Sequence, residues 1–384
     1  MSDAEDLISL IDDDRENLQS LAPREAFEMW MQHQQSEKAS STLRSYRYRV
    51  SPFIDWLEDR GLDDLNDLTG REMMRFDAHE RDRGLEQNTL NSRFGTIRLF
   101  LKFCVKLDAV PKTLPWKVEP PELSKEDRVN REKLTSERAD ELLENLGTYH
   151  YASLDHALVF TMWRTAARIG ALHALDLDDV YLSEEDLSRL RHEHSTVSES
   201  VFEQILEEVE PPFLWFRHRP NAAVSTPLKK QYAGERPVNL SPEVGRVLRG
   251  YLRVSRPDVV EEDGREPFFA SPKSRQRLSR SGMRNRIYRL TQPCRFGECP
   301  HGRDVEDCEA REHGYESRCP SSRSPHKLRT GSITWHRDRG VPKEDLAERA
   351  NTSERLIEEV YDQPEALKRL VKRRRIVHRL EGEK

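Results

Sequence analysis

Apolar residues recur at helical spacing from Pro23 onward. Phe27, Trp30 and Met31 share one face, and Pro23 suits a first helical turn. Leu43, Tyr46, Val50, Phe53, Ile54 and Leu57 draw a second stripe over residues 42–60, stopped by Gly61. Pro52 lies inside that stripe, so a kink or break is expected there. Thr69 and Glu72 have capping-box spacing for a third helix that ends at Gly84. Asn88 is placed to cap a fourth, with Leu90, Phe94, Ile97, Leu101 and Val105 on one face. Four helices over roughly 85 residues are enough to fold alone.

Residues 109–133 carry Pro111, Pro115, Pro120 and Pro121 among mixed charges and read as a linker. Periodicity resumes at Leu134, with helices expected near 136–146, 154–166, 242–255, 279–291, 327–339, 343–350, 353–361 and 365–381. Val180-Tyr181 and residues 213–218 and 235–240 read as strands of one small sheet, and the acidic stretch 183–210 as a helical surface insertion. The expected fold is mainly α with a small β-sheet. Its parts are an acidic arm (1–22), a helical domain (23–108), the linker (109–133) and a larger domain (134–384). The larger domain includes a Cys-rich loop (294–319) and a C-terminal helix (365–381).

Length and composition change this picture little, because 384 residues fit two or three domains. No run reaches the roughly 18 apolar residues of a membrane span, and the first residues are acidic, unlike a signal peptide. No membrane association and a cytoplasmic location are therefore expected. Charge changes the picture more. The net −6 argues against a nucleic-acid partner until it is resolved by segment. Residues 1–28 hold nine acids and two bases, a net −7, which leaves the rest of the chain at +1. Residues 273–289 hold seven bases and no acid. Arginine outnumbers lysine 48 to 15, and arginine is the better phosphate fork.

Three motifs are weak singly. Arg168 opens Arg168-Ile169-Gly170-Ala171-Leu172-His173, which by itself reads as an amphipathic helix with a solvated arginine. His326 and Arg329 sit at i, i+3 on one helix face, but His336 and Arg339 have the same spacing by chance. Tyr361 is the only tyrosine after His326, and a lone tyrosine near a helix end is usually a packing residue.

Taken together and in this order, the motifs resemble the tyrosine recombinase (phage integrase) family. Residues 166–180 match its first arginine box without gaps at Arg168, Ile169, Leu172, Ala174, Leu175 and Asp179. His326 and Arg329 match its HxxR box, and Tyr361 its nucleophile. The resemblance spans roughly residues 23–380 and implies a helical, SAM-like core-binding domain followed by the catalytic domain. It implies that Tyr361 attacks a DNA phosphodiester to give a 3′-phosphotyrosine, with Arg168 and Arg329 clamping the phosphate and His326 handling a proton. The family also uses a lysine on a β-hairpin, for which Lys230 is the choice and Lys229 its neighbour. No cofactor is then needed for catalysis. Two positions depart from the family. Ala171 replaces a glutamate that orients the first arginine, and Asn351 or Thr352 stands where Gly-His is common. These departures keep a non-catalytic DNA-binding regulator open, and a type IB topoisomerase-like relaxing enzyme is the alternative within the same chemistry.

Double-stranded DNA is the partner that the resemblance implies, with self-association into dimers and tetramers on it. Arg44, Arg47 and Arg49 in the first domain and Arg277, Arg280 and Arg284 in the basic stripe are candidate phosphate contacts. A solvated arginine face is the alternative. Cys294, Cys299, Cys308 and Cys319 fall in one polar loop at spacings C-x4-C-x8-C-x10-C. Four thiolates can enclose a structural zinc, although no CxxC knuckle is present, and four unmetallated thiols are the alternative. Loops of this kind before the HxxR box resemble an archaeal branch of the family. Any metal here would position the HxxR helix without acting on the phosphate. The fifth cysteine, Cys104, reads as core.

Overall fold

The computed structural model describes residues 17–124, 132–193, 203, 208–361 and 374. The chain divides into two compact units, Met1–Asn130 and Arg131–Lys384.

In the first unit, four helices bury their apolar stripes against one another: α1 (Pro23–Gln35), α2 (Ser40–Asp59), α3 (Gly70–Asp82) and α4 (Gln87–Lys106). Phe27, Trp30, Phe53, Phe76, Phe94 and Phe100 form an aromatic core of edge contacts, such as Phe53 on Phe76 at 4.9 Å. The Thr69 side chain accepts from Glu72 N and caps α3 as the spacing predicts. Pro52 does not break α2, which runs through it as one helix. The carbonyl four residues back belongs to exposed Tyr48, where water can take the hydrogen bond that proline cannot make. In the fourth helix Glu86, not Asn88, stands at the N-cap, and its side chain makes no capping hydrogen bond. Residues 109–118 also differ from the linker reading. Ala109, Val110, Leu114, Pro115 and Val118 are buried in this unit's core, partly through a 3₁₀ turn at Leu114–Lys117. Pro115 lies in the first turn of that 3₁₀ helix and does not free the chain.

The second unit is built around α6 (Leu154–Thr165), ten of whose residues are buried. Packed on or near it are α5 (Ser136–Tyr149), α7 (Ile169–Ala174), α9 (Pro242–Gly250), α10 (Arg280–Leu290) and α11 (Pro325–Asp338). A 3₁₀ turn (Glu184–Leu187) and a short α8 (Ser188–Glu193) begin the acidic insertion, of which residues 194–202 and 204–207 lie outside the described residues. The sheet is antiparallel in the order β1 (Val180–Tyr181), β2 (Phe213–Phe216), β3 (Arg236–Asn239), with Leu214 opposite both Val180 and Val238. Helices α12 (Lys343–Ala350) and α13 (Glu354–Leu356) lead into a π-helical turn, Ile357–Tyr361. Of the expected helix at 365–381 only residue 374 is described, and of the arm at 1–22 only residues 17–22, which are held to the first unit where Gln19 N donates to Asp108 O and Leu65 N to Leu21 O.

One contact fixes α11 closely. A Cβ on Gly331 would lie 2.0 Å from the Leu134 carbonyl oxygen, so only glycine fits. Ser332 Oγ, one residue on, donates to Trp163 O of α6, and Leu134 N donates to Lys327 O at 3.1 Å. The backbone of α11 is thereby held against both α6 and the segment before α5.

Candidate active site

The first arginine is presented by a sharp turn. Helix α6 ends with Ala166 in the left-handed conformation at φ 52°, and Ala167 N donates to Thr165 Oγ1 at 3.2 Å. Arg168 follows as the N-cap of α7. Ala171 is buried and supplies no carboxylate to hold it. Arg168 Nη1 instead donates to the Asn351 backbone oxygen at 2.5 Å, so a carbonyl from the far side of the site does part of that orienting work.

The second arginine is fixed from α11. Ser324 caps that helix by accepting from Lys327 N, and Pro325 occupies its first turn. His326 therefore lies in the first helical turn, where the backbone dipole favours an anion. Arg329 is 1% exposed and donates to Ala166 O, two residues before Arg168. A small apolar cluster of Ala166, Ile333, Leu346, Ala347, Ala350 and Ile357 lies behind these residues. It welds the Arg168 turn, α11, α12 and the turn that carries Tyr361 into one body. Tyr361 closes that turn, and its side chain lies outside the described residues.

Positive charge accumulates here. The His326 ring is exposed, yet its pKa lies below the usual histidine value, first through partial desolvation, then through the Arg329, Arg168 and Lys229 charges. Lys229, the neighbour of the Lys230 chosen from the sequence, is thus among the charges that lower it. Lys230 itself sits in the left-handed region at φ 73°. Arg236 on β3 joins the group, though its role was not read from the sequence. It is 7% exposed, stacks on Phe216 at 4.7 Å and donates to Arg349 O (2.8 Å) and Gly234 O (3.0 Å). Burial, then the Arg329, Arg168 and Arg349 charges, holds its pKa down to about 9, with Glu348 opposing. Cations crowded in this way favour an anionic ligand. Thr352 Oγ1 is buried without a hydrogen-bond partner among the described residues.

The basic stripe divides by environment. Arg280 and Arg284 are exposed on α10, with Lys273 and Arg275 ahead of them. Arg277 is no surface contact. It is 7% exposed and bonds Asp176 and Glu261, both at 2.6 Å, and the carbonyl of His173 at 2.9 Å. It belongs to a buried network in which Asp176 also meets Arg265 (2.8 Å), and Asp179 meets Arg217 (2.9 Å) and Arg219 (2.7 Å). Two carboxylates in the segment after α7 demand these partners, and a count of charges along the chain cannot show it. Arg286 and Arg289 both pair with Asp155.

In the first unit, Arg44, Ser45, Tyr48 and Arg49 of α2 line a groove with Asn88, Thr89 and Ser92 of α4. Tyr48, 71% exposed, lies between the two arginines in sequence. Arg47 faces α1 instead, 2.9 Å from Glu28 and over the Phe27 ring.

The Cys-rich loop is tied at both ends by hydrogen bonds. Buried Gln292 donates to Ala310 O (2.8 Å) and Glu316 O (3.1 Å), and Arg138 donates to Thr291 O and Ser321 O. All four of its cysteines are free thiols, and among the described residues no three His, Cys, Asp or Glu side chains gather as metal ligands would.

Residues 27–106 match the family described as phage integrase, N-terminal SAM-like domain. Tyrosine recombinase XerC of Roseiflexus sp. (strain RS-1) is 26% identical over 159 residues, 40% of this chain and 50% of that protein. The chain thus spans about half the length of the curated relatives it matches. The fold resembles that of the Tn1549 transposon integrase in complex with transposon right end DNA (TM-score 0.62, 12% identity, 93% of this chain and all of that one). It also resembles a lambda integrase dimer bound to a core site (TM-score 0.54, 12% identity, 91% of this chain and 97% of that one). A matching N-terminal domain, related sequences and a shared fold thus coincide with the ordered set of Arg168, His326, Arg329 and Tyr361 in a likeness to the tyrosine recombinases.

Proposed function

We propose that this chain is a site-specific DNA recombinase that cuts and rejoins strands through a 3′-phosphotyrosine. The observation that carries this reading is the convergence of Arg168, Arg329, His326, Arg236 and the Lys229 loop on one electropositive site. Tyr361 lies at the end of the same apolar weld. Tyr361 Oη attacks phosphorus, its proton leaves to a base for which neutral His326 is placed, and the bond from phosphorus to O5′ breaks. Lys229 supplies the proton that O5′ takes up. Arg168 and Arg329 stabilise the charge on the non-bridging oxygens, so no metal is required for this step. A 5′-hydroxyl from a partner duplex reverses the reaction.

Duplex DNA in the cytoplasm is the proposed substrate. Arg44, Arg49, Arg280 and Arg284 make phosphate contacts, and copies of the chain associate on DNA. The resemblance to a DNA-bound integrase dimer supports that association. The test is a nicked suicide substrate that traps a covalent protein–DNA adduct. The adduct forms with the parental chain and is abolished in Tyr361→Phe. No adduct at all leaves a DNA-binding regulator, and relaxation of supercoils without recombinants from a two-site substrate leaves a topoisomerase.

A structural zinc on Cys294, Cys299, Cys308 and Cys319 is part of the same proposal. Its support is four cysteines within one polar loop that leads directly into α11. Elemental analysis of the purified chain should find about one zinc per chain, lost in a Cys299→Ser, Cys308→Ser variant. Metal-free protein would overturn it.

A further inference from the structure

The loop that carries Lys229 has little regular structure of its own. It leaves β2 through Arg219, which pairs with Thr226 across the hairpin, and returns at Arg236. Lys230 and Gln231 are consecutive non-glycine residues in the left-handed region, at φ 73° and 53°. Such a segment holds its shape only if its surroundings fix it. Two side chains do so. His218 Nδ1 accepts from Leu228 N at 2.9 Å, and Asn351 Nδ2 donates to Lys229 O at 3.1 Å. The fit at the second contact is close, because a Cβ on Gly234 would lie 2.5 Å from Lys229 O and 2.8 Å from Asn351 Nδ2.

Asn351 is itself unusual. It is the C-cap of α12 at φ 51°, ψ 57°, a conformation that glycine adopts most easily and asparagine next. Its backbone oxygen accepts from Arg168 and its side-chain nitrogen reaches the carbonyl of Lys229. It is 8% exposed. One residue thus touches the first arginine, the lysine loop and the end of the helix before Tyr361. With its amide nitrogen on Lys229 O, Asn351 acts on the lysine and not on the phosphate.

We propose that Asn351 is a positioning residue that sets the proton-donating Lys229 against the scissile phosphate, and that its side chain has no direct part in holding that phosphate. The inference rests on the proposed cleavage reaction. It predicts a defect confined to departure of the 5′ oxygen. Asn351→Gly keeps the left-handed cap and the carbonyl for Arg168 and removes only the bond to Lys229 O.

The experiment compares adduct formation on an ordinary substrate with that on a substrate carrying sulfur in place of the scissile bridging O5′. A thiolate leaves without taking up a proton, so its release does not need the lysine. On the ordinary substrate Asn351→Gly should be slower by about tenfold to a hundredfold, and Lys229→Ala by at least as much. On the sulfur substrate both should cut at the parental rate. Asn351→Asp, which keeps the backbone preference and cannot donate, should show the same selective defect. Equal losses on both substrates, or none on either, would overturn the inference. If the parental chain forms no adduct with either substrate, the proposed reaction fails instead.

Discussion

At the scale of single residues, neighbouring arginines in the basic stripe do different work. Arg277 neutralises Asp176 and Glu261 inside the fold, whereas Arg284 stands exposed on α10. Arg277→Ala takes the closest partner from Asp176 and Glu261, leaves Asp176 with Arg265, and should cost about 3 kcal/mol of stability, read by chemical denaturation. Arg284→Ala should leave the denaturation midpoint unchanged. It should weaken DNA binding on any sequence and lower the slope of log affinity against log salt by about one. Equal stability of the two variants would show that the buried network does not hold the fold. The same contrast marks what a sequence can disclose. The identities of Arg168, His326 and Arg329 are legible because motif order specifies them. The partners of Arg277 and Arg236 depend on residues 16 to more than 100 positions away. Choosing between Lys229 and Lys230 turns on backbone angles in an irregular loop, which residue type leaves open.

At the scale of elements, the helices of the first unit were legible because each has a continuous apolar stripe. The errors fall at ends and at Pro52, where capping and solvent access decide. Position matters most in α11. Its face toward the core carries Gly331 and Ser332, small enough to bring its backbone onto Leu134 and α6, while His326 and Arg329 occupy the turns before them. Gly331→Ala places a methyl group where a carbonyl oxygen already sits, and α11 must shift. A loss of about 1–3 kcal/mol is expected, seen as a lowered melting temperature. Adduct formation should fall even at temperatures where the variant is fully folded. A folded variant with parental activity would mean that the site tolerates movement of this helix. Glycine at 331 carries no sequence signal of its own, because its reason lies in a backbone about 200 residues earlier.

At the scale of the whole molecule, the net charge of −6 is a poor guide to what the chain binds. Acids concentrate near the start of the sequence, and some of those elsewhere, such as Asp176, Asp179 and Glu261, are paired with arginines inside the fold. What remains around Arg168, Arg329 and Arg236 is positive. The division into two units was legible from proline content and the return of periodicity, and it falls inside the expected linker, but the first core runs on into that linker, since residues 109–118 complete it. In the second unit, the segment ahead of α5 carries Leu134. That residue is hydrogen-bonded to Lys327 and pressed against Gly331. Anything that displaces Leu134 is therefore felt first by the helix of His326 and Arg329. The few residues ahead of α5 double as a mechanical handle on that helix.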